Sequence, residues 1–142
     1  FLNQKICDPT FFKYKNSLWL FVNKSKNNLD DFNKNLLLYK VNDDFTKFEP
    51  HKKNPIKVNY YGGRSAGPIL KFKSKIIRPA QIHRKNNYGY GLVFFEILKL
   101  NLFEYREKKI FTLLPNQFQN SKGIHHISNL GNDFIIDLNL KH

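Results

Sequence analysis

The stretch GGRSAGPILKFKSKIIRPAQ, Gly62 to Gln81, has the pattern of a β-hairpin that carries two arginines. Apolar residues flank the polar turn KFKSK, and Gly and Pro stand where the backbone would turn or approach another segment. Arg64 and Arg78 are two of only 4 arginines, against 20 lysines. Because Lys cannot replace the planar guanidinium fork, each of these arginines indicates a bidentate contact.

Two other stretches repeat the layout of a strand, a tight polar turn and a second apolar strand. They are DPTFFKYKNSLWLFVN from Asp8 and GIHHISNLGNDFIIDL from Gly123. After each of the first two copies come a third apolar run and a fourth extended piece. The third run of the second copy, Gly91 to Leu100, is long enough for a helix, but its Val, Phe and Ile content favours a strand. Four antiparallel strands at a fixed period are typical of a β-propeller blade.

The sequence therefore predicts an all-β fold with no helix longer than two turns. We expect a single-domain fragment that is a partial β-propeller, with two four-stranded blades at residues 1–58 and 59–118 and the first hairpin of a partial closing blade at 119–142. The chain begins at Phe1 and contains no Met, which favours a piece of a longer protein. Since no propeller closes with so few blades, we expect missing blades or assembly with other chains.

Composition narrows the classes of partner and compartment. The formal net charge is +13, yet the lysines are spread singly and accompany 18 Asn and only 2 Ala, the bias of an AT-rich genome. We therefore interpret the lysines as a solvated surface and expect no nucleic-acid partner. No apolar run is long enough to span a bilayer. The lone Cys7 excludes an internal disulfide and indicates an inert, buried thiol. From the lack of a spanning run and of disulfides, we expect a soluble protein in the cytoplasm.

Several motifs, taken in order, resemble one known domain. They are LWLFVN, LLLYKV, FEPHKKNPI, GGRSAGPIL, IIRPAQ, YGYGLVFFEI and GIHHISNLGNDFIIDL. In that order they resemble the N-terminal propeller domain of glucosamine inositolphosphorylceramide transferases and its bacterial relatives, over its C-terminal part. Those domains are similar to the five-bladed propellers of arabinanase-type and fructanase-type glycosidases. The resemblance implies a five-bladed ring that handles sugars or sugar conjugates beside a glycosyltransferase module.

Candidate sugar-binding residues follow from the propeller geometry. The innermost strand of each blade lines a central funnel, so residues near the starts of those strands converge there. Sugars offer many hydroxyls, which carboxylate, Arg, amide and His groups can bind beside an aromatic platform. The candidates for substrate contacts are Asp8, Arg64, Arg78, Gln81, Tyr88, Tyr90 and His125.

Each candidate also has a structural interpretation. Asp8 could simply cap a turn before Pro9, and both arginines could instead be struts that pair with a buried carboxylate such as Glu96. Gln81 fits either role. By resemblance, His125 matches a histidine that lies near the ring axis of related glycosidases and can bind an ion, although a core histidine fits equally. His126 points to the other face of its strand and is interpreted as structural.

Two functions remain open at the level of sequence. A glycoside hydrolase normally needs two carboxyl groups beside the scissile bond, and only Asp8 and Glu96 are plausible here. That interpretation makes the chain a remnant of an enzyme whose catalytic carboxylates lie in missing N-terminal blades, with Asp8 as its weak catalytic candidate. The alternative, which we favour, is a module that recognises a glycan or glycoconjugate and needs no cofactor, apart from a possible axial ion.

Overall fold

The computed structural model of the protein describes residues 5–25, 29–84, 87–131 and 133–141. Within these ranges the chain forms β-strands and two short 3₁₀ segments, Leu29–Asn33 and Pro115–Gln117, and no α-helix. The all-β prediction is therefore confirmed. Gly91 to Leu100 lies in a strand, as its β-branched and aromatic content predicts.

The first sheet is an antiparallel meander in which consecutive strands are neighbours. Its order is β1, β2, β3 and β4, and the short β5 also pairs with β3. The bounds of these strands are Lys5–Tyr14 (β1), Ser17–Ser25 (β2), Asn35–Val41 (β3), Phe48–Pro50 (β4) and Lys57–Val58 (β5).

The second sheet repeats this arrangement. Its path is β6, β8, β9 and β10, and β7 pairs with the beginning of β8. The bounds are Tyr61–Ser65 (β6), Leu70–Phe72 (β7), Lys75–Arg84 (β8), Asn87–Leu100 (β9) and Tyr105–Leu113 (β10). The strands β6 and β7 together thus occupy the position that β1 has in the first sheet.

The C-terminal strands form two small pairs, β12 with β13 and β11 with β14. Their bounds are Ser121–Gly123 (β11), Ile127–Leu130 (β12), Asp133–Ile136 (β13) and Asn139–Leu140 (β14). None of the described sheets closes on itself. The five-bladed ring and the division into blades at residues 58 and 118 therefore stay predictions.

The three stretches of the sequence repeat form three similar hairpins. Each has two residues between the paired ends, which are Tyr14 with Ser17, Phe72 with Lys75, and Leu130 with Asp133. The first loop residue has a positive φ in every case, 52° at Lys15, 53° at Lys73 and 60° at Gly131. Such backbone angles are those of the tight turns that match the twist of a hairpin.

Large apolar side chains pack the sheets against each other. Trp19, Phe21 and Leu38 of the first sheet form one buried cluster with Ile97 and Leu100 of the second. Leu92 and Phe94 alternate to the opposite face of β9, where they cluster with Ile124 and Ile127 from the C-terminal part. The first sheet therefore shares a core with the second, and the second shares one with the C-terminal part. No helix in the described ranges could cross a membrane.

Candidate functional site

Asp8 lies on a distorted part of β1. The pairing of β1 with β2 shifts between Cys7 and Thr10, and Asp8 has a φ of 49°, in the left-handed region. A bulge of this kind changes the direction in which a side chain points and is common beside functional sites. Burial, reinforced by the neighbouring Asp8, raises the pKa of the Cys7 thiol to about 12, which keeps that thiol unreactive.

Arg64 connects three separate segments at this position. Its Nε donates to Asp8 Oδ2 at 2.6 Å, and its Nη1 donates to Asn33 Oδ1 at 2.9 Å. The side chains of Arg64 and Asp8 are 16% and 34% exposed, so the ion pair remains accessible to solvent. The structure thus brings together Asp8 and Arg64, two of the residues predicted from the sequence. Asn33 carries no signal in an Asn-rich chain and was not predicted.

The 3₁₀ segment that carries Asn33 is held by further polar contacts. The Tyr60 hydroxyl donates to Asp30 Oδ2, and Lys34 Nζ lies 3.4 Å from the same oxygen. The hydrogen bond from Tyr60, with a smaller contribution from Lys34, lowers the pKa of Asp30. Arg64 therefore docks on a segment that is itself fixed to the loop before β6.

His83 is a second titratable group in this region. Burial, followed by the positive charge of Arg64, lowers the pKa of His83 to about 4, while Asp30 and Asp8 act in the opposite direction. The imidazole is therefore neutral at physiological pH. No motif or spacing singles out this histidine, which lies near the end of β8. Its charged neighbours Arg64, Asp30 and Asp8 are distant from it in the sequence.

A cavity of about 330 Å³ opens beside the Asp8 carboxylate. The first sheet, the second sheet and the C-terminal part all contribute to its lining. The lining residues are Asp8, Pro9, Thr10, Phe11, Ser65, Gly67, Pro68 and His126. Three separate groups of strands therefore meet at this cavity.

Asp137 organises the two adjacent histidines. Its Oδ1 accepts from the backbone N–H groups of His125 at 3.0 Å and His126 at 2.7 Å, and its Oδ2 contacts His125 Nδ1. His125, the predicted site residue, is therefore paired with Asp137. His126 is exposed and lines the cavity with Asp8, so it does not point away from the candidate site as its predicted alternation implied. The backbone leaves regular strand geometry before Ile127, and simple alternation does not apply.

Gln81 is buried behind the cavity and supports the backbone of β6. It is 3% exposed, and its Nε2 donates to the Ser65 carbonyl at 3.0 Å. Asn23, which is fully buried, donates to the Gly63 carbonyl at 2.8 Å and accepts from Ser65 N at 3.3 Å. Ser65 Oγ and Gln81 Oε1 are buried without a hydrogen-bond partner among the described residues.

Arg78 has the geometry of a strut. It is 1% exposed, and its Nε and Nη2 donate to the two Glu107 oxygens at 2.8 and 2.9 Å. Lys57 of the first sheet donates to the same carboxylate at 2.5 Å, as does the Tyr105 hydroxyl at 2.6 Å. This geometry corrects the expectation that Arg78 makes a bidentate contact to a ligand. The guanidinium is buried, and its Nε and Nη2 already donate to Glu107. Its partner is Glu107 and not Glu96, which pairs with Lys75 at 3.0 Å.

The predicted aromatic platform is only partly described. The guanidinium of Arg84 lies 3.8 Å from the centre of the Tyr90 ring and covers one of its faces. The side chain of Tyr88 lies outside the described part of the structure. No group of three or more His, Cys, Asp or Glu residues that could hold a metal ion occurs within the described ranges.

Comparison with known proteins gives one match. The family model described as "Glucosamine inositolphosphorylceramide transferase 1, N-terminal" matches residues 1–129. The comparisons with curated proteins and with solved structures found no match. The family match covers most of the chain, including Asp8, Arg64, His125 and His126. The chain therefore belongs to the family of N-terminal domains of glucosamine inositolphosphorylceramide transferase 1.

Proposed function

We propose that this domain recognises a carbohydrate or glycoconjugate at the cavity beside Asp8 and Arg64. The observation that carries the proposal is the accessible Asp8–Arg64 ion pair beside a cavity of about 330 Å³, at a place where three separate groups of strands meet. A cavity of this size suits one or two sugar rings. Carboxylate, hydroxyl and imidazole groups can bind sugar hydroxyls, and the proline and phenylalanine walls can contact the C–H faces of a ring.

The family supports a role beside glycosyl transfer. Its printed name describes a glucosamine inositolphosphorylceramide transferase, and the matched part is the N-terminal domain. We propose that an attached transferase module carries out the chemistry, while this domain positions the sugar-containing substrate. Glu96, the second carboxylate considered for hydrolysis, pairs with Lys75 and does not line the cavity. The described site therefore favours recognition over hydrolysis.

The proposal includes a partial five-bladed propeller. Two sheets with the same strand order, followed by a hairpin whose first loop residue also has a positive φ, are what successive blades would provide. Each sheet shares a core with the next, as blades in a ring do. Besides the carbohydrate, this chain would then bind the remaining blades of the ring. In such a ring Arg64, His125 and Tyr90 belong to the funnel, and Gln81 supports it from behind.

The test is sugar binding by the domain and by two variants. A panel of neutral methyl glycosides, amino sugars and myo-inositol at millimolar concentration is screened by ligand-observed NMR, and binders are titrated by calorimetry. Arg64→Lys keeps the charge but cannot reach Asp8 and Asn33 together, so we expect about tenfold weaker binding with little change in melting temperature. Asp8→Asn should weaken binding similarly.

Arg106→Lys is the matched control, since Arg106 is exposed and does not line the cavity. It should bind like the unmodified chain. Sugar binding that is unaffected by Arg64→Lys, or the absence of binding across the whole panel, contradicts the proposed function.

A further inference from the structure

The polar groups around the Asp8 cavity define what kind of sugar it can hold. Thr10 Oγ1 lies 3.3 Å from the Asp8 carbonyl and 3.5 Å from the Gly67 carbonyl. A hydroxyl has one proton, so a Thr10 that donates to either carbonyl presents lone pairs as acceptors. The Asp8 carboxylate is an acceptor only. The wall formed by Thr10 and Asp8 therefore favours a ligand that brings hydroxyl donors.

Ser65 adds a hydroxyl that the rest of the described structure does not use. The residue is 2% exposed and lines the cavity, and its Oγ has no hydrogen-bond partner among the described residues. An unpaired buried hydroxyl costs free energy, and a ligand hydroxyl that pairs with it recovers that cost. A rotation of the Ser65 side chain toward the cavity would let this hydroxyl pair with a bound sugar.

The charge around the cavity favours an uncharged ligand. Among the lining residues, Asp8 is the one with a formal charge when the histidine is neutral, and it is negative. Arg64 does not line the cavity, and its Nε and Nη1 are directed at Asp8 and Asn33. The lining residues offer no Lys or Arg, so a phosphate or a uronic acid carboxylate placed here would lose hydration without gaining an ion pair. The net charge of +13 by itself would attract an anionic ligand. Comparing neutral with anionic sugars therefore separates the local effect of the cavity from the overall charge.

His126 is held at the cavity by its backbone. Asp137 accepts from His126 N, and Ile127 N donates to the Ala66 carbonyl at 2.8 Å. A Cβ on Gly67 would lie 1.9 Å from the Ile127 carbonyl oxygen, so only glycine permits this close approach. The histidine is therefore placed against the second sheet, where its imidazole can donate to or accept from a ligand.

We propose that the cavity binds an uncharged sugar ring rich in hydroxyl groups, and that Ser65 and His126 contact it directly. This inference rests on the proposed function and adds to it the class of ligand and two contact residues. Asp137 is a positioning residue, since it acts by fixing the backbone of His126.

The experiment compares matched neutral and anionic sugars on the complete 142-residue chain. The probes are the methyl glycosides of glucose, galactose and mannose, each against the corresponding methyl uronide, which differs by a carboxylate at C6. We expect at least one neutral member to bind about tenfold more tightly than its uronide at physiological salt. Tighter binding of the uronide overturns the inference but leaves carbohydrate recognition standing. Absence of binding in all three pairs overturns the inference, and carbohydrate recognition is overturned as well only if the amino sugars and myo-inositol of the wider panel also fail to bind.

Variants test the two contact residues separately. Ser65→Ala removes an unpaired hydroxyl, so binding should weaken several-fold while the melting temperature stays unchanged or rises. His126→Ala should weaken binding similarly without loss of stability, because the side chain is exposed. Asn129→Ala, at an exposed position on β12 outside the lining, is the control and should bind normally. Unaltered binding by Ser65→Ala and His126→Ala overturns their assignment.

Discussion

Arg64 and Arg78 have the same side chain but differ in solvent exposure and in the groups that they contact. Arg64 is partly exposed and bridges Asp8 and Asn33, whereas Arg78 is buried and shares Glu107 with Lys57 and Tyr105. Burial by itself raises the pKa of Glu107. The adjacent charge of Arg78 outweighs this effect, and the pKa is lowered to about 2. The buried cluster ties the first sheet to the second, since Lys57 belongs to β5 and Glu107 to β10.

Arg78→Lys should therefore destabilise the fold. Lys cannot donate to both Glu107 oxygens and the Gly62 carbonyl together, which leaves buried polar groups unpaired. We expect a loss of about 1–3 kcal/mol, seen as a melting temperature lower by several degrees. Arg106→Lys, at an exposed position on the same sheet, should melt like the unmodified chain. An unchanged melting temperature for Arg78→Lys would argue against the strut.

Acid should weaken the domain in two steps. The pKa of His83 is lowered to about 4 from an ordinary value of 6.5, and that of Glu107 to about 2 from 4.5. In both cases the unfolded chain binds the proton more readily, so stability is complete above the unfolded pKa and is lost as pH falls. Melting temperatures should begin to fall below pH about 6.5 through His83 and fall further below about 4.5 through Glu107.

His83→Gln separates the two steps. It should flatten the profile between pH about 6.5 and 4 and leave the steeper loss below about 4.5 in place. The comparison is made by calorimetry on both chains in the same buffers. A profile that is unchanged by His83→Gln contradicts the assignment of the first step to this histidine.

The sequence could single out Arg64 and Asp8 because arginine is scarce and DP begins a repeat. It could not identify Glu107 as the partner of Arg78. The pairing of β9 with β10 shifts between Arg106 and Glu107, and this bulge decides which face Glu107 occupies. Likewise Asn33 ends a short 3₁₀ segment and His83 lies near the end of β8, and neither belongs to a motif that indicates a site. Individual site residues could thus be predicted where the composition was unusual. The side chains that pair with them could not, because those pairings depend on how distant segments pack.

At the level of elements, the hairpin repeat was the most informative feature of the sequence. The three hairpins share a two-residue loop with a positive φ at its first position. Lys occupies that position in two of them, Lys15 and Lys73, although a side chain is disfavoured in the left-handed region. The hairpins therefore form because apolar strands flank the loop, and not because the loop residues are optimal.

Lys73→Gly should stabilise the second hairpin. Glycine adopts a φ of 53° without steric cost, and Lys73 is exposed and forms no described ion pair, so we expect a gain of about 0.5–1 kcal/mol. The measurement is chemical unfolding at equilibrium. Lys71→Gly, at an exposed position inside β7, should instead destabilise by about 0.5–1 kcal/mol, because glycine in a strand loses more entropy. Equal effects of the two substitutions contradict the argument.

On the scale of the whole molecule, the C-terminal hairpin covers the second sheet incompletely. A cleft of about 430 Å³ remains between them. Its lining is apolar throughout and consists of Leu70, Phe72, Ile77, Phe94, Ile110, Phe111, Leu113, Ile127, Phe134 and Ile136. Phe72, Phe111 and Phe134 are each about half exposed, at 49%, 49% and 50%. Half-exposed aromatic side chains gathered in one apolar cleft promote association.

This cleft should bind a hydrophobic dye and promote self-association of the 142-residue chain. We expect strong fluorescence of anilinonaphthalene sulfonate with the native protein and a sedimentation coefficient that rises with concentration. The double variant Phe111→Thr, Phe134→Thr should lower both signals several-fold while keeping the β-sheet circular dichroism spectrum, since both side chains are half exposed on strands. Phe103→Thr is the control, because Phe103 is 66% exposed but lies outside the cleft. If Phe103→Thr reduced dye binding as much as the double variant, exposed aromatic residues in general would be responsible, and the cleft would have no special role.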